Sequence, residues 1–129
     1  SNEKLNLASL LHDFDHKVPM NIPYHQGSCM LFRMVCFKKV GLFDERFFMY
    51  PEDIDITRRM HKHYRTMFWP EVTIVHAHRA ASYKSLRMLA VHSWNMVKYF
   101  NKWGWFFDQE RDEWNKKVLD EVSSRKEKQ

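Results

Sequence analysis

Hydrophobic positions follow a helical period directly after Pro51. Ile56, Met60 and Tyr64 recur in steps of four, and polar or charged residues occupy the positions between them. This spacing predicts a helix over residues 51–63 with one apolar stripe. Proline suits the first turn of a helix, and the acids that follow it suit the positive end of the helix dipole.

A longer helical pattern begins near residue 84. Its apolar positions recur in steps of three and four at Leu86, Leu89, Ala90, Ser93, Met96, Val97 and Phe100. The pattern predicts an amphipathic helix of about five turns that Gly104 ends. Such a stripe usually faces the core of its own domain, which we prefer here to a membrane-facing role. A polar helix over residues 109–122 is predicted to follow.

Shorter patterns predict the remaining elements. Residues 34–40 form a short helix closed by Gly41, and residues 5–11 form another. The apolar run 27–32 and the β-branched or aromatic runs 66–68 and 72–75 predict strands. A polar loop then occupies residues 76–83. We divide the chain into an irregular approach (1–26), a central part (27–83) and C-terminal helices (84–129).

Composition limits the classes of protein to consider. The 129 residues suit one domain, and 16% of them are aromatic, so we expect some rings to face a surface other than the core. No run of 18 apolar residues and no signal-peptide pattern occurs, which predicts a cytoplasmic protein. The net charge of +5 permits several anionic partners and selects none. Cys29 and Cys36 lack zinc-site spacing, and we expect buried free thiols.

Acidic side chains are the first candidates for chemistry. Glu52, Asp53 and Asp55 share one predicted helix start, and Asp44 and Glu45 lie just upstream. A partly desolvated carboxylate there can act as a general base. First-turn acids are also common compensation for the helix dipole, and spacing alone favours that structural role.

The eight histidines include one candidate metal ligand. His61 and His63 diverge by about 200° on a helix and cannot share an ion. His76 and His78 directly follow a predicted strand and point to one side of it, which gives a workable metal pair. We interpret most of the histidines as structural, and we treat His76 as the exception.

Aromatic and basic residues combine near the end of the long helix. Residues 103–107 contain four rings beside Lys98 and Lys102, a composition typical of an interfacial membrane anchor. Nucleic acid could use the same residue types, but the basic residues are scattered among 16 acids and no nucleic-acid-binding motif is present. We therefore expect no nucleic-acid partner.

Three segments together resemble the family 2 glycosyltransferases of the GT-A fold, with the closest likeness to bacterial rhamnosyltransferase-like enzymes of surface polysaccharide synthesis. They are residues 27–33 (GSCMLFR), 40–55 (VGLFDERFFMYPEDID) and 75–82 (VHAHRAAS). The resemblance runs over residues 24–115. It implies an α/β fold that is α+β in isolation, namely the C-terminal part of a GT-A transferase, with a short mixed sheet packed with helices.

The resemblance also implies roles for individual residues. Asp53 matches the general base that deprotonates the acceptor hydroxyl for inverting attack, and Glu52 matches its supporting acid. His76 matches a ligand of the divalent metal, Mg²⁺ or Mn²⁺, that holds the donor diphosphate. Arg79 and Ser82 match a diphosphate-contacting loop. The acceptor site is expected to comprise Gly27, Ser28, Phe47, Phe48 and Tyr50.

One part of the family pattern does not occur in the chain. Members carry an N-terminal nucleotide-binding half of roughly 100 residues with a D-x-D metal motif, in keeping with domain sizes of this class. The strings at residues 13–15 and 53–55 do not follow the buried strand where that motif belongs. We expect an acceptor-side fragment that is inactive alone, contacts the inner face of the cytoplasmic membrane peripherally, and forms a homodimer through uncovered surface. Its partners would be a nucleotide-sugar donor and a saccharide or polyprenyl-linked acceptor.

A different class of protein also fits these patterns. In a non-catalytic binding or interaction module, the acidic helix start and the aromatic loop would be purely structural. An upstream reading frame with a strand-rich segment ending in D-x-D favours the enzyme.

Overall fold

The computed structural model describes residues 17–75 and 85–127. Its elements are β1 (Met20–Asn21), a 3-10 turn (Met34–Cys36), α1 (Phe37–Val40), α2 (Pro51–His61), β2 (Met67–Phe68), α3 (Leu86–Trp103) and α4 (Gln109–Lys126). β1 and β2 are antiparallel, with Met20 opposite Phe68 and Asn21 opposite Met67. The described fold is therefore α+β, with helices and one two-stranded antiparallel sheet where a mixed sheet was expected.

The predicted helices are confirmed with small changes at their ends. α2 stops two residues earlier than its hydrophobic spacing predicts, and α4 continues past residue 122 to Lys126. Gly41 follows α1 with φ of 80°, and Gly104 follows α3 with φ of 106°. Because side chains rarely tolerate positive φ, glycine suits both helix ends.

The strand predictions are confirmed only at β2. Residues 27–32 form a turn and irregular chain, and residues 72–75 are irregular, so both of those predictions are wrong. A strand exists only where a neighbour pairs with its backbone groups, and among the described residues β1 alone pairs with β2. The predicted helix over residues 5–11 and the polar loop after residue 75 lie outside the described ranges.

α2 is tied to α3 and to the start of α4 by buried side chains. Ile56 and Met60 are buried on its inner face, as their spacing predicts. Arg58, only 1% exposed, donates from both Nη atoms to the two carboxylate oxygens of Asp108, each at 2.6 Å. Its guanidinium also lies 4.1 Å from the ring of Trp103 on α3. This charged cluster joins α2, α3 and the start of α4.

A second buried polar cluster surrounds Asp55. Its carboxylate accepts from Arg59 Nε at 2.8 Å and Trp103 Nε1 at 2.8 Å, and Lys102 Nζ lies 2.6 Å away. Lys102 also contacts Asp44 Oδ2 at 2.7 Å. A buried carboxylate needs such partners because burial removes its hydration. Asp55 therefore stabilises the packing of α2 against α3, which is a structural role.

The face of α3 that packs against the core is not the face of its apolar stripe but the opposite one. Its buried residues are Asn95 and Tyr99, whereas Leu86 and Leu89 on the stripe are exposed. Lys102 and Trp103 also point inward, to Asp55. The prediction that the stripe faces the core is therefore wrong for the described part of the chain.

The surface carries much apolar area, as the aromatic content predicts. Among its exposed rings, Phe106 and Phe107 are 81% and 97% accessible. Three residues of the predicted interfacial anchor make contacts within the chain instead. Trp103 donates a hydrogen bond to Asp55, Lys98 donates one to a backbone carbonyl, and Lys102 pairs with two carboxylates. In the ranges 17–75 and 85–127, no helix combines the length and hydropathy that crossing a membrane requires.

Both cysteines are free thiols, but they are not buried as expected. Cys29 is exposed and Cys36 is half-buried. The burial prediction fails at Cys29 because residues 27–32 form a surface turn rather than an internal strand.

Candidate active site

The candidate site lies at the start of α2. Tyr50, the residue before the helix, has φ of 82°, a backbone conformation that costs free energy for any residue other than glycine. Pro51 occupies the first turn, and Glu52 and Asp53 follow it. The turn at Tyr50 thus fixes where the helix begins and where its first acids lie.

The loop before residue 28 is held against one face of α2. The backbone N–H of Gly27 donates to Asp53 Oδ2 at 2.7 Å, and that of His25 donates to Thr57 Oγ1 at 3.3 Å. The Thr57 hydroxyl in turn donates to the Asp53 carbonyl oxygen at 2.7 Å. Asp53 and Thr57 are one turn apart, so they present two anchors to the same loop.

Asp53 has a fixed orientation and remains partly accessible. Its Oδ1 accepts the N–H of Ile54 at 2.7 Å while Oδ2 accepts that of Gly27. A Cβ atom at position 27 would lie 3.1 Å from Asp53 Cβ and 3.2 Å from Oδ2. Glycine therefore allows the loop to approach the carboxylate closely, and each carboxylate oxygen keeps lone-pair capacity for a further proton donor.

Glu52 has a different environment from its neighbour. Its Oε2 atom is buried and has no hydrogen-bond partner among the described residues. Burial raises the pKa of Glu52, and the negative charge of Asp53 raises it further. Glu52 therefore takes up a proton more readily than an ordinary glutamate does.

α3 supports the turn at Tyr50. Asn95, 2% exposed, donates from Nδ2 to the carbonyl oxygen of Met49 at 2.9 Å. The ring of His92 stacks on that of Tyr50 with 4.4 Å between centroids. Two side chains of α3 therefore hold the residues that precede Pro51.

The expected acceptor residues divide between the surface and the core. Gly27, Ser28 and Phe48 are exposed, and Tyr50 is half-buried against His92. Phe47 is only 5% exposed and packs against Tyr99, with 6.4 Å between ring centroids. Phe47 thus belongs to the core in the described structure, and four of the five residues keep an accessible surface.

The expected metal and diphosphate residues, His76, Arg79 and Ser82, lie outside the described ranges. Within those ranges, no three His, Cys, Asp or Glu side chains come close enough together to hold a metal ion. The described residues alone therefore do not form the expected metal site.

Three residues of the site escaped the sequence analysis, namely Thr57, His92 and Asn95. Thr57 follows Asp53 by four positions, and that spacing on one helix face was a usable signal. Asn95 lies among the polar positions of α3 opposite its apolar stripe, and His92 lies at the border between that polar face and the stripe. Treating that polar face as the inward one would have identified them.

Comparison with known proteins shows a partial similarity to a bacterial transferase from two strains. The chain is 44% identical over 57 residues to N-acetylglucosaminyl-diphospho-decaprenol L-rhamnosyltransferase of Mycobacterium tuberculosis, strains CDC 1551 / Oshkosh and ATCC 25618 / H37Rv. The match spans 43% of this chain and 18% of the relative. No family model and no solved structure matches the chain. Over part of its length, the chain is therefore related to a glycosyltransferase.

Proposed function

We propose that the chain is the acceptor-side part of an inverting, metal-dependent glycosyltransferase. It would act in surface polysaccharide synthesis, moving a sugar from a nucleotide-sugar donor to a saccharide or polyprenyl-linked acceptor. The hydrogen bond from Gly27 to Asp53 carries this proposal, because it joins two of the segments that resemble the family. The related protein, named for rhamnosyl transfer involving N-acetylglucosaminyl-diphospho-decaprenol, supports it.

In the proposed reaction, Asp53 is the general base. Its carboxylate removes the proton of an acceptor hydroxyl as that oxygen attacks the anomeric carbon of the donor sugar. The new carbon–oxygen bond forms on the face opposite the leaving nucleoside diphosphate, whose bond to the sugar breaks. The contacts from Gly27 and Ile54 restrict rotation of the carboxylate, so the base is already oriented before the acceptor binds.

Glu52 supports this base through its charge. Because burial and Asp53 both raise its pKa, Glu52 takes up a proton more readily than an ordinary glutamate. A proton on Glu52 removes a negative charge beside Asp53.

The acceptor surface in this proposal comprises Gly27, Ser28, Phe48 and Tyr50. Phe48 is 76% exposed, so its ring is available to pack against an apolar sugar face. His76 as metal ligand and Arg79 and Ser82 as diphosphate contacts remain part of the proposal, with Mg²⁺ or Mn²⁺ as the ion. Chelation and re-addition of each ion in the complete protein tests that dependence.

A separate nucleotide-binding half and the cellular location complete the proposal. The nucleotide part of the donor would bind to residues outside this chain, so the 129-residue chain alone would not transfer sugar. We place the protein at the inner face of the cytoplasmic membrane, where polyprenyl-linked acceptors would be accessible to a peripheral enzyme.

The deciding experiment compares Asp53→Asn with the wild type in the complete gene product. Removal of a general base is expected to lower kcat by about 10²- to 10⁴-fold. Nucleotide-sugar binding, measured by calorimetry, should stay unchanged because the donor binds elsewhere. Asp120→Asn on the exposed side of α4 is the matched control and should retain full activity. Wild-type turnover in Asp53→Asn would refute the role of Asp53.

A further inference from the structure

The outward face of α3 forms an open apolar groove. Its volume is about 420 Å³, and it is lined by Leu89, His92, Ser93, Met96, Val97, Phe100 and Trp105. These residues belong largely to the stripe that was predicted to face the core. Because Asn95 and Tyr99 face the core instead, nothing in residues 17–75 and 85–127 covers the groove.

The lining is almost entirely free of charge. Of the seven residues, His92 alone is titratable, and no Asp, Glu, Lys or Arg is among them. The rings of Phe100 and Trp105 pack together with 5.1 Å between centroids and form one part of the wall. A concave surface of this composition suits an uncharged hydrocarbon better than a sugar or a phosphate, because it offers few hydrogen-bonding groups.

The groove is continuous with the candidate active site through His92. That side chain lines the groove and stacks on Tyr50 at 4.4 Å. Tyr50 immediately precedes the turn of α2 that carries Glu52 and Asp53. One ligand with a polar head at Asp53 and an apolar tail along α3 would therefore occupy a single connected surface.

We propose that this groove binds the hydrocarbon chain of a lipid-linked acceptor. The inference rests on the proposed function and deepens it, since it assigns the tail of the acceptor to α3 and its sugar to the start of α2. A concave groove encloses a single chain, whereas a flat bilayer surface would meet a protruding apolar element rather than a recess. An enclosed tail also anchors the acceptor while its sugar is positioned.

The first test measures binding to the 129-residue chain with two probes, farnesyl diphosphate and inorganic diphosphate. Quenching of tryptophan fluorescence is a suitable readout because Trp105 lines the groove. Farnesyl diphosphate should bind at least 10-fold more tightly than inorganic diphosphate, since burial of each CH₂ group favours binding. Equal affinities for the two probes would overturn the proposal.

Matched variants locate the binding. Val97→Glu places a charge in the groove, and Val72→Glu places the same charge at an exposed position elsewhere. The first should remove the preference for farnesyl diphosphate and the second should keep it. Leu89 is half exposed, so Leu89→Glu repeats the test without placing a charge in the core. Retention of the preference in both Val97→Glu and Leu89→Glu would contradict the proposal.

Other occupants of the groove give different results. If the groove contacts a bilayer, phosphatidylcholine vesicles retain the wild type but not Leu89→Glu, and the farnesyl group brings no gain in affinity. If it joins two copies, Leu89→Glu converts a dimer to a monomer, and farnesyl diphosphate does not compete with dimerisation. Either result would overturn the proposal.

Steady-state kinetics distinguish a failure of this inference from a failure of the proposed function. In the complete protein, Val97→Glu should raise KM for a farnesyl-linked acceptor about 10-fold, leave kcat unchanged and leave KM for the free saccharide unchanged. An unchanged KM for the farnesyl-linked acceptor would overturn the assignment of the groove but would not affect the proposed transferase function. Full activity of Asp53→Asn refutes the proposed base even where farnesyl binding persists.

Discussion

Gly27 and Asp53, 26 positions apart in the chain, are joined by one hydrogen bond of 2.7 Å from backbone N–H to carboxylate oxygen. The bond brings the segment that starts with Gly27 against the first turn of α2. It also restricts the orientation of the carboxylate proposed as the base. The relationship depends on glycine, because a side chain at position 27 would meet Asp53 directly.

Gly27→Ala should therefore impair activity more than stability. The added Cβ would lie 3.1 Å from Asp53 Cβ, so the loop or the carboxylate must move by a few tenths of an ångström. A displacement of up to 1 Å at a catalytic group lowers the rate by as much as about 100-fold. We therefore expect a loss of kcat/KM of about 10- to 100-fold. Steady-state kinetics of the complete protein measure the loss, and thermal unfolding should stay nearly unchanged since position 27 is exposed.

Gln26→Ala is the neighbouring control for this change. Gln26 is exposed, and its substitution should preserve both activity and unfolding temperature. Wild-type kcat/KM in Gly27→Ala would show that the close approach of the loop to Asp53 has no part in positioning the base.

Glu52→Gln should alter how stability depends on pH. In the folded chain the pKa of Glu52 lies above its ordinary value of 4.5, chiefly because of burial. The stabilising contribution of this group is fully present below about 4.5 and is lost as pH rises through the raised value. Glutamine does not ionise, so the variant should gain stability relative to wild type as pH increases from 4 towards 7.

Urea unfolding at several pH values measures this difference. Glu113→Gln, at an exposed position of α4, serves as the control and should show no pH-dependent gain. A difference between Glu52→Gln and wild type that is constant with pH would contradict the raised pKa.

Asp108→Asn should destabilise the chain strongly. The change removes the charge of the buried partner of Arg58 and leaves Glu110, which is partly exposed, as the remaining carboxylate beside the guanidinium. Breaking a buried ion pair typically costs about 3–5 kcal/mol, and we expect a loss towards the lower end of that range. Asp108 also caps α4, accepting the Arg111 N–H at 3.0 Å, and asparagine can keep that bond. Chemical unfolding followed by circular dichroism gives the free energy of unfolding.

Asp112→Asn provides the exposed counterpart, because the ion pair of Asp112 with Arg111 lies largely in solvent. Its loss should cost no more than about 1 kcal/mol. Equal costs for the two substitutions would mean that the Arg58 pair contributes no more than a surface ion pair.

Asn95→Leu should weaken the turn that begins α2. Leucine fills a similar volume but cannot donate to the Met49 carbonyl, and an unsatisfied buried polar group costs about 1–3 kcal/mol. Tyr50 should then leave its strained conformation more easily, so KM for the acceptor should rise along with the loss of stability. Thermal unfolding and acceptor titration measure the two effects.

Arg87→Leu, at an exposed position of the same helix, controls for the change in helix composition. A variant Asn95→Leu that loses stability and keeps the wild-type KM would show that the Tyr50 turn does not influence acceptor binding.

The helices were predictable from the sequence because their signals are local. Pro51 followed by acids, and Gly104 after a run of periodic residues, define helix ends within one or two turns. The strands were less predictable, since residues 27–32 have strand composition but no described pairing partner. For α3, the hydrophobic pattern showed that two faces differ, but it did not show which face the core would cover.

The candidate site was only partly visible in the sequence. The first-turn acids indicated Glu52 and Asp53, but the contact with Gly27 depends on a loop returning from 26 positions away. Similarly, Asp55 belonged to the same acidic cluster in the sequence. Its burial beside Lys102 and Trp103 gives it a structural role that spacing alone could not separate from a catalytic one.

The surface turn after Gly27 also offers a route to measuring motion at the site. The chain has two cysteines, and the exposed one, Cys29, lies just beyond Gly27. Replacing the half-buried Cys36 by serine leaves a single thiol for a fluorophore or spin label. A reporter attached there would show changes in the mobility and surroundings of this turn while a ligand binds, without any cysteine being introduced.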